Sequence, residues 1–182
     1  MLRLTTLYGA TRRLGAIALS LVLALVCWLM APLPAQAAIR TIEEAPGQTL
    51  YQTRVALKDA QNNRWQAIAF NRHKADGSET LGLRLVGFPG AAVIDRSRPL
   101  TMTDALGHTL TAKDTSAKMF TDESSPEPHI GQYDLGSVLA DIQPAVPLEL
   151  QIPVQSGEPV TLLIAPPTLA EWQQLLAVDA LG

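Results

Sequence analysis

The stretch LGLRLVGFPG, residues 81–90, decides the fold. Its apolar residues recur at every second position, which is the period of a strand with one buried face: Leu81, Leu83 and Leu85 face one way, and Gly82 and Arg84 the other. Gly87 interrupts this run and predicts a bend or a bulge. Phe88–Ala91 has proline second and glycine third, as a type II turn requires. Because Ala91–Ile94 is again apolar, the sequence predicts a central hairpin whose second strand pairs back onto the first.

Two more alternating segments precede this hairpin. In Leu50–Asp59, three apolar residues share one face and three polar residues share the other: Tyr51, Val55 and Leu57 against Gln52, Arg54 and Lys58. Asp59–Asn63 consists mainly of turn-forming residues. Arg64–Arg72 then predicts a second strand, with bulk from Trp65, Ile68 and Phe70. These segments predict a hairpin that leads into the central one.

The second half of the chain contains further strand patterns. Leu100–Thr103 and His108–Leu110 are short strand candidates. Leu148–Val154 and Val160–Ile164 alternate clearly on either side of a turn, which predicts a C-terminal hairpin. Pro153 lies inside the first of these segments, and because proline cannot donate a backbone hydrogen bond, it predicts an edge strand.

Two short helices are expected. Asp134 precedes apolar residues at helical spacing, namely Leu135, Val138, Leu139 and Ile142, and predicts a capped helix there. Near the C-terminus, Thr168 and Glu171 match the T-x-x-E capping box, and the apolar stripe of the helix would be Trp172, Leu175 and Leu176.

Together these elements predict a single β-rich domain over residues 38–182. The fold class is α+β, predominantly antiparallel β-sheet with short helices that include a C-terminal helix. The length suffices for one hydrophobic core. The pattern leaves open whether the sheet forms a sandwich or a partly open barrel.

Residues 1–37 have the composition of a secretory signal peptide. A basic start, an apolar core and a small-x-small cleavage site follow one another: Arg3, Arg12 and Arg13, then Ala16–Met30, then Ala35–Ala37. Cleavage near Ala37 would release the domain as an exported protein. The alternative is an uncleaved membrane anchor, since residues 14–33 approach the roughly 20 apolar residues of a spanning helix. Export by the general or the twin-arginine route stays open.

Charge and cysteine content narrow the possible functions. Eleven of the 14 Lys and Arg residues and all 17 acids lie beyond residue 37, so the exported part carries a net charge of −6. It has no cluster of basic residues along the sequence, which argues against nucleic acid and anionic lipid as partners. The only cysteine, Cys27, lies in the signal segment. Disulfides and thiolate chemistry are therefore excluded from the domain.

Several phrases together resemble a family of uncharacterised exported cyanobacterial proteins, grouped as a domain of unknown function. The phrases are EEAPGQTLYQTR at 43–54, RWQAIAF at 64–70, LRLVGFPG at 83–90, GQYDL at 131–135 and the closing strand with the Trp172 helix. The resemblance implies a periplasmic or thylakoid-lumenal location and an accessory role near photosynthetic membrane complexes. It implies no catalytic residue and no cofactor.

No motif predicts a catalytic or metal site. The three histidines, His73, His108 and His129, have no recognised metal-ligand spacing. His129 follows Asp122, Glu123 and Glu127, which could form a weak divalent-cation site, but an exposed acidic loop is the favoured interpretation. Ser97 has no identifiable base, and no G-x-S-x-G elbow occurs. The sequence therefore predicts no catalytic residue and no metal.

One surface is a candidate for interaction. If the strand at 81–88 and the following turn are adjacent in space, Arg84, Phe88, Arg96 and Arg98 would share a surface that suits an acidic partner or a carboxylate ligand. The alternative is an ordinary solvated face.

These observations favour a non-enzymatic exported accessory module that binds a protein partner, such as a membrane complex. One alternative is a carrier of a small lipid or pigment, which would need a sizeable apolar cavity. A second alternative is a hydrolase, which would need a cleft where titratable residues converge. Contact with a membrane is expected only through an uncleaved signal, and the sequence does not determine the oligomeric state.

Overall fold

The computed structural model describes residues 39–119 and 127–178, which form two antiparallel sheets and a C-terminal helix. The strands are β1 Arg40–Ala45, β2 Gln48–Lys58, β3 Arg64–His73, β4 Glu79–Gly87, β5 Leu100–Asp104, β6 Thr109–Ala112, β7 Ile130–Asp134, β8 Leu148–Ile152 and β9 Val160–Ile164; the helix α1 is Pro166–Gln174. The first sheet has the order β1-β2-β3-β4-β7, and the second β6-β5-β8-β9. The predicted signal peptide and most of the acidic segment at 121–128 lie outside the described residues.

The core lies between the inner faces of the two sheets. The first sheet contributes its odd-numbered residues, including Trp65, Leu83 and Leu85, and the second its even-numbered residues, including Leu150 and Leu162. Helix α1 adds Leu169 and Trp172. Alternation at period two therefore places one face of each strand in the core, and the predicted antiparallel α+β fold is confirmed. The described strands form a sandwich-like pair of sheets, not a closed barrel.

The predicted central hairpin is wrong in its second strand. The turn itself is present, because the Ala91 amide donates to the Phe88 carbonyl at 2.9 Å and Gly90 has φ +88°. However, both edges of β4 are occupied, one by β3 and the other by β7. Ile94 instead forms an antiparallel bridge with Val154. The apolar segment at 91–94 thus connects the chain to the second sheet.

Pro153 does not mark an edge strand. β8 lies between β5 and β9, and its ladder ends at Ile152, one residue before the proline. Since no ladder bond is required of residue 153, its missing N–H costs nothing there. Its carbonyl accepts a hydrogen bond from the Asp95 amide at 2.9 Å.

Both predicted helix starts need correction. After Asp134 the chain makes turns and a short 3₁₀ segment at Leu139–Asp141, although all four predicted apolar residues are buried. Gly136 and Ser137 are weak helix formers, and Pro144 follows closely, which accounts for the missing α-helix. Helix α1 begins earlier than the capping box predicts. Its N-cap is Ala165, followed by Pro166 and Pro167 at the first helical positions, and the cap makes no side-chain hydrogen bond.

The predicted turn between β2 and β3 is built around Asp59. Its Oδ1 accepts hydrogen bonds from the amides of Gln61 and Asn63, and its Oδ2 accepts from Asn63 Nδ2 and from Trp65 Nε1 at 3.0 Å. Burial by itself would raise the pKa of Asp59, but these donors outweigh it and hold the pKa below its usual value. The carboxylate therefore fixes both the turn and the core indole of Trp65.

Asp59→Asn tests this arrangement through its pH dependence. We expect the substitution to lower the free energy of unfolding by about 1–3 kcal/mol at pH 7, because the NH₂ group of the new asparagine faces hydrogen-bond donors. The lowered pKa stabilises the fold above the unfolded-state value of about 3.9, and that stabilisation is lost as the pH falls below it. Urea unfolding at pH 7 and pH 3 measures the free energy of unfolding of the wild type and of Asp59→Asn. We expect the difference between these two values to be smaller at pH 3. Asp141→Asn, at an exposed site, is the control, and a pH-independent difference would contradict the account.

Candidate interaction site on the first sheet

The outer face of the first sheet collects basic residues that are far apart in sequence. The strand registers place Arg54 in a row with Ile68 and Arg84. They also pair Lys58 with Arg64, and Arg40 with Gln52, on the same side of the sheet. We call the six cations of this surface the basic face: Arg40, Arg54, Lys58, Arg64, Arg72 and Arg84. They are six of the 11 Lys and Arg residues beyond residue 37. Two acids, Glu44 and Asp134, accompany them.

Phe70 lies at the centre of this face. Its side chain is only 3% exposed, yet it belongs to the outer side of the sheet and not to the main core. The ring rests on Gly82 of the neighbouring strand, where an added Cβ would lie 2.5 Å from the ring carbon Cζ. The guanidinium carbons of Arg72 and Arg84 lie 5.6 and 5.8 Å from the ring centroid, within cation–π range. The ring therefore supports two of the cations.

Arg72 is neutralised by Glu44. Its Nε and Nη2 donate to the two carboxylate oxygens at 2.8 and 3.0 Å, which is a bidentate pair. These hydrogen bonds from Arg72 are the main reason that the pKa of Glu44 is lowered, with a further hydrogen bond from Gln48 acting in the same direction. Arg72 consequently contributes little free charge to the basic face.

Arg84 has a neutral partner. Its Nη2 and Nε donate to Gln132 Oε1 at 3.0 and 3.3 Å, and Gln132 is itself only 4% exposed. Burial lowers the pKa of the Arg84 guanidinium, and nearby Arg72 lowers it further, while Glu44 opposes both. No described carboxylate is hydrogen-bonded to Arg84. Its positive charge is therefore held in a fixed position beside Phe70.

Three cations of the face have no side-chain partner. Arg40, Arg54 and Arg64 are exposed, and none forms a hydrogen bond or an ion pair through its side chain within residues 39–119 and 127–178. They are available to an anionic partner without first breaking an internal contact.

The four residues of the predicted interaction surface occupy different environments. Arg84 belongs to the basic face, and Phe88 lies just beyond β4 with 64% of its surface exposed. Arg96 donates to the carbonyls of Glu127 and Ile130, and Arg98 to the Asp95 carboxylate and the Val154 carbonyl. Arg96 and Arg98 thus hold connecting segments in place. The sequence singled out Arg84 but missed Arg54 and Arg64, whose positions on the same face depend on strand register.

An open apolar groove runs across one end of this face. Its volume is about 960 Å³, and it lies where β2 ends, β3 begins and β4 ends. Its walls include Ala56, Trp65, Val86, Phe88 and Pro89, and its polar lining includes Lys58, Arg64 and His129. The structure therefore combines an apolar recess with part of the basic face.

Within the described residues, no group of three or more His, Cys, Asp or Glu side chains is arranged to bind a metal ion. His108 Nδ1 lies 2.9 Å from Asp104 Oδ2 in a turn, and the ring of His73 meets that of Tyr51 edge-on at 5.2 Å. His129 lines the groove, while Asp122 and Glu123 of the candidate cation site lie outside the described residues.

A smaller polar cleft of about 410 Å³ lies beside β4 and β7 of the same sheet, where Gly82 and Gln132 contribute to its lining. Its lining includes Asn71, Glu79, Lys118 and Asp134, but no histidine or serine among the described residues. Asn71 Nδ2 is already engaged, because it donates to the Leu175 carbonyl at 3.1 Å. The cleft collects charged groups without a nucleophile–base pair of the serine–histidine kind.

The fold and this surface define an α+β protein with a two-sheet antiparallel sandwich and a basic sheet face. Comparison with protein families matches residues 37–175 to the family described as Protein of unknown function (DUF3122), and the chain belongs to that family. No curated protein and no solved structure matches the chain. In the described part of the chain, no helix has the length and apolar character needed to span a membrane.

The contact between Phe70 and Gly82 can be tested with a double-mutant cycle. Gly82→Ala places a methyl group against the ring, and we expect it to lower the free energy of unfolding by about 1–3 kcal/mol. In a Phe70→Leu background the same change should cost clearly less, since the nearest ring atoms are gone. Chemical denaturation of the four proteins measures the coupling. Equal costs in both backgrounds would contradict the contact.

Arg84 and Arg54 should differ in their contribution to stability. Arg84→Ala leaves Gln132 Oε1 without a donor and exposes Phe70, so we expect it to lower the free energy of unfolding by about 1–3 kcal/mol. Arg54→Ala removes an exposed side chain without a partner and should stay within about 0.5 kcal/mol of the wild type. Thermal and urea unfolding compare the two, and equal effects would show that the contacts of Arg84 are not stabilising.

Proposed function

We propose that the protein is an exported, non-enzymatic accessory module that binds an acidic protein partner through its basic face. The observation that carries this proposal is the separation of charge on the molecule. Beyond residue 37 the chain has 11 cations against 17 acids, yet six of these cations share one sheet face, on which the described strands place two acids, Glu44 and Asp134. Such a field attracts an acidic surface and repels a basic one.

The unpaired side chains make the basic face suitable for binding. Arg40 and Arg54 are exposed and lack a side-chain partner among the described residues, while Phe70 and Gln132 hold Arg84 in place. A guanidinium can bind a carboxylate through two parallel hydrogen bonds, which gives orientation as well as attraction. An acidic protein surface would thus find both exposed, unengaged donors and a donor held in a fixed position.

The proposed location rests on the N-terminal sequence. The basic start, apolar core and A-x-A site of residues 1–37 support export with cleavage near Ala37. The resemblance to exported cyanobacterial proteins supports the periplasm or the thylakoid lumen as the destination. The acidic partner would then be an exposed part of a membrane complex, of which a photosynthetic complex is our leading candidate.

The carrier alternative has one observation in its favour. The described sheets enclose no barrel lumen, so a ligand would have to bind at the surface, and the groove of about 960 Å³ offers such a place. The hydrolase alternative gains no comparable support from the polar cleft.

Affinity capture from membranes tests the proposal. Tagged wild-type protein, recovered from cells that express the full chain, should retain an acidic subunit that mass spectrometry identifies. Binding should then be repeated with the purified subunit. Because the attraction is electrostatic, we expect it to weaken strongly between 50 and 500 mM salt.

Charge reversal provides the matched control. Arg40→Glu with Arg54→Glu should abolish capture, because it replaces two unpaired cations of the basic face. Lys113→Glu with Lys118→Glu changes the net charge equally at exposed sites outside that face, and should leave capture intact. Equal losses in both variants, or salt-independent capture, would contradict the proposal.

A further inference from the structure

The apolar groove brings together surface that is costly to leave in water. Phe88 is 64% exposed beside Pro89, and the lining of the groove also includes Ala56 and Val86. Burying apolar surface is worth about 25 cal/mol per Å². Its volume of about 960 Å³ lies at the upper end of ordinary ligand pockets, which span about 300–1,000 Å³. An apolar chain laid in the groove would therefore be stabilised.

Two cations stand side by side at the edge of the same groove. Lys58 and Arg64 are direct partners in the β2–β3 register, so their side chains project from the same face. Like charges directly opposite each other in a sheet are unfavourable. Lys58 Nζ donates to Asn62 Oδ1 at 2.8 Å, and neither cation has a carboxylate partner within the described residues.

The nearest acid in the sequence does not relieve this repulsion. Asp59 is buried, and its two oxygens already accept four hydrogen bonds from its own turn and from Trp65. An external anion placed between Lys58 and Arg64 would remove the repulsion and gain charge-assisted hydrogen bonds. The geometry thus combines an apolar recess with a site for one anionic group.

We propose that the groove binds a single-chain amphiphile with an anionic headgroup. The chain lies along Ala56, Val86 and Phe88, and the headgroup is held by Lys58 and Arg64. A fatty acid and a singly acylated phospholipid share this chemistry. Because the apolar lining forms a recess in the sheet end, it suits a separate chain better than the surface of a bilayer.

This inference does not depend on the proposed protein partner, although Lys58 and Arg64 also belong to the basic face. Arg40 and Arg54 do not line the groove, and Phe88 is apolar. The two activities can therefore be told apart: the Arg40 and Arg54 variants should leave ligand binding unchanged, and Phe88→Ala should leave protein capture unchanged.

Calorimetry with short-chain probes tests the proposal. Protein recovered from cells that express the full chain is titrated with monomeric decanoate, 1-decanol and decyltrimethylammonium. We expect decanoate to bind most tightly and decyltrimethylammonium not to bind. Amide chemical shifts in the decanoate titration should move at Arg64, Gly87, Phe88 and His129, which surround the groove.

Matched variants separate the two parts of the site. Lys58→Gln with Arg64→Gln should weaken decanoate binding by about tenfold or more, because the headgroup loses both charge-assisted hydrogen bonds, and should leave decanol binding unchanged. Arg40→Gln with Arg54→Gln removes the same charge from the same face and should have little effect. Phe88→Ala should weaken both decanoate and decanol.

Three results would overturn the proposal. The first is equal binding of the three probes, and the second is equal weakening of decanoate by the two double variants. The third is binding to vesicles of anionic phospholipid without any binding of monomeric decanoate, which would assign the groove to a membrane surface. Lysophosphatidic acid, compared with decanoate, distinguishes a phosphate headgroup from a carboxylate once binding is established.

Discussion

The pairing of β3 with β2 on one side and with β4 on the other is the constraint on which the rest of the structure depends. Because strand side chains alternate, this register sends Trp65, Ala67 and Ala69 into the core and places Ile68 and Phe70 on the outer face. A shift of one residue would exchange the two sets and bury Arg64. The same register brings Phe70 over Gly82 and Lys58 opposite Arg64. This one strand pairing therefore determines both which residues of the first sheet form the core and which form the basic face.

The sequence predicts those features that depend on local chemistry. Alternation identifies β2, β3 and the C-terminal pair β8–β9, and Pro89 with Gly90 identifies the turn after β4. Prediction from the sequence fails where the pairing of a strand depends on which strand edges are already occupied. The strand edge that the segment at 91–94 would have used is occupied by β7, whose chain lies some 40 residues further on.

The basic face could be predicted only in part. The alternation of β2 already puts Arg54 and Lys58 on the polar side of their strand. To predict that these two residues share a face with Arg64 and Arg84, one must know the registers of three strands. No run of basic residues in the sequence indicates that such a face exists. The negative net charge beyond residue 37 also gives no indication of a basic face, because net charge does not specify where the cations lie.

The local potential at the sheet surface tests the central claim most directly. Paramagnetic relaxation of side-chain protons can be compared with a negatively and a positively charged nitroxide of similar size. Although the chain beyond residue 37 is negative overall, the account predicts that the negative probe relaxes Arg54, Gln66 and Val86 more strongly than the positive one. The outer threonines Thr101 and Thr161 of the second sheet should show no such preference. The same probe preference at both sheets, or stronger relaxation of the first sheet by the positive probe, would contradict a basic face.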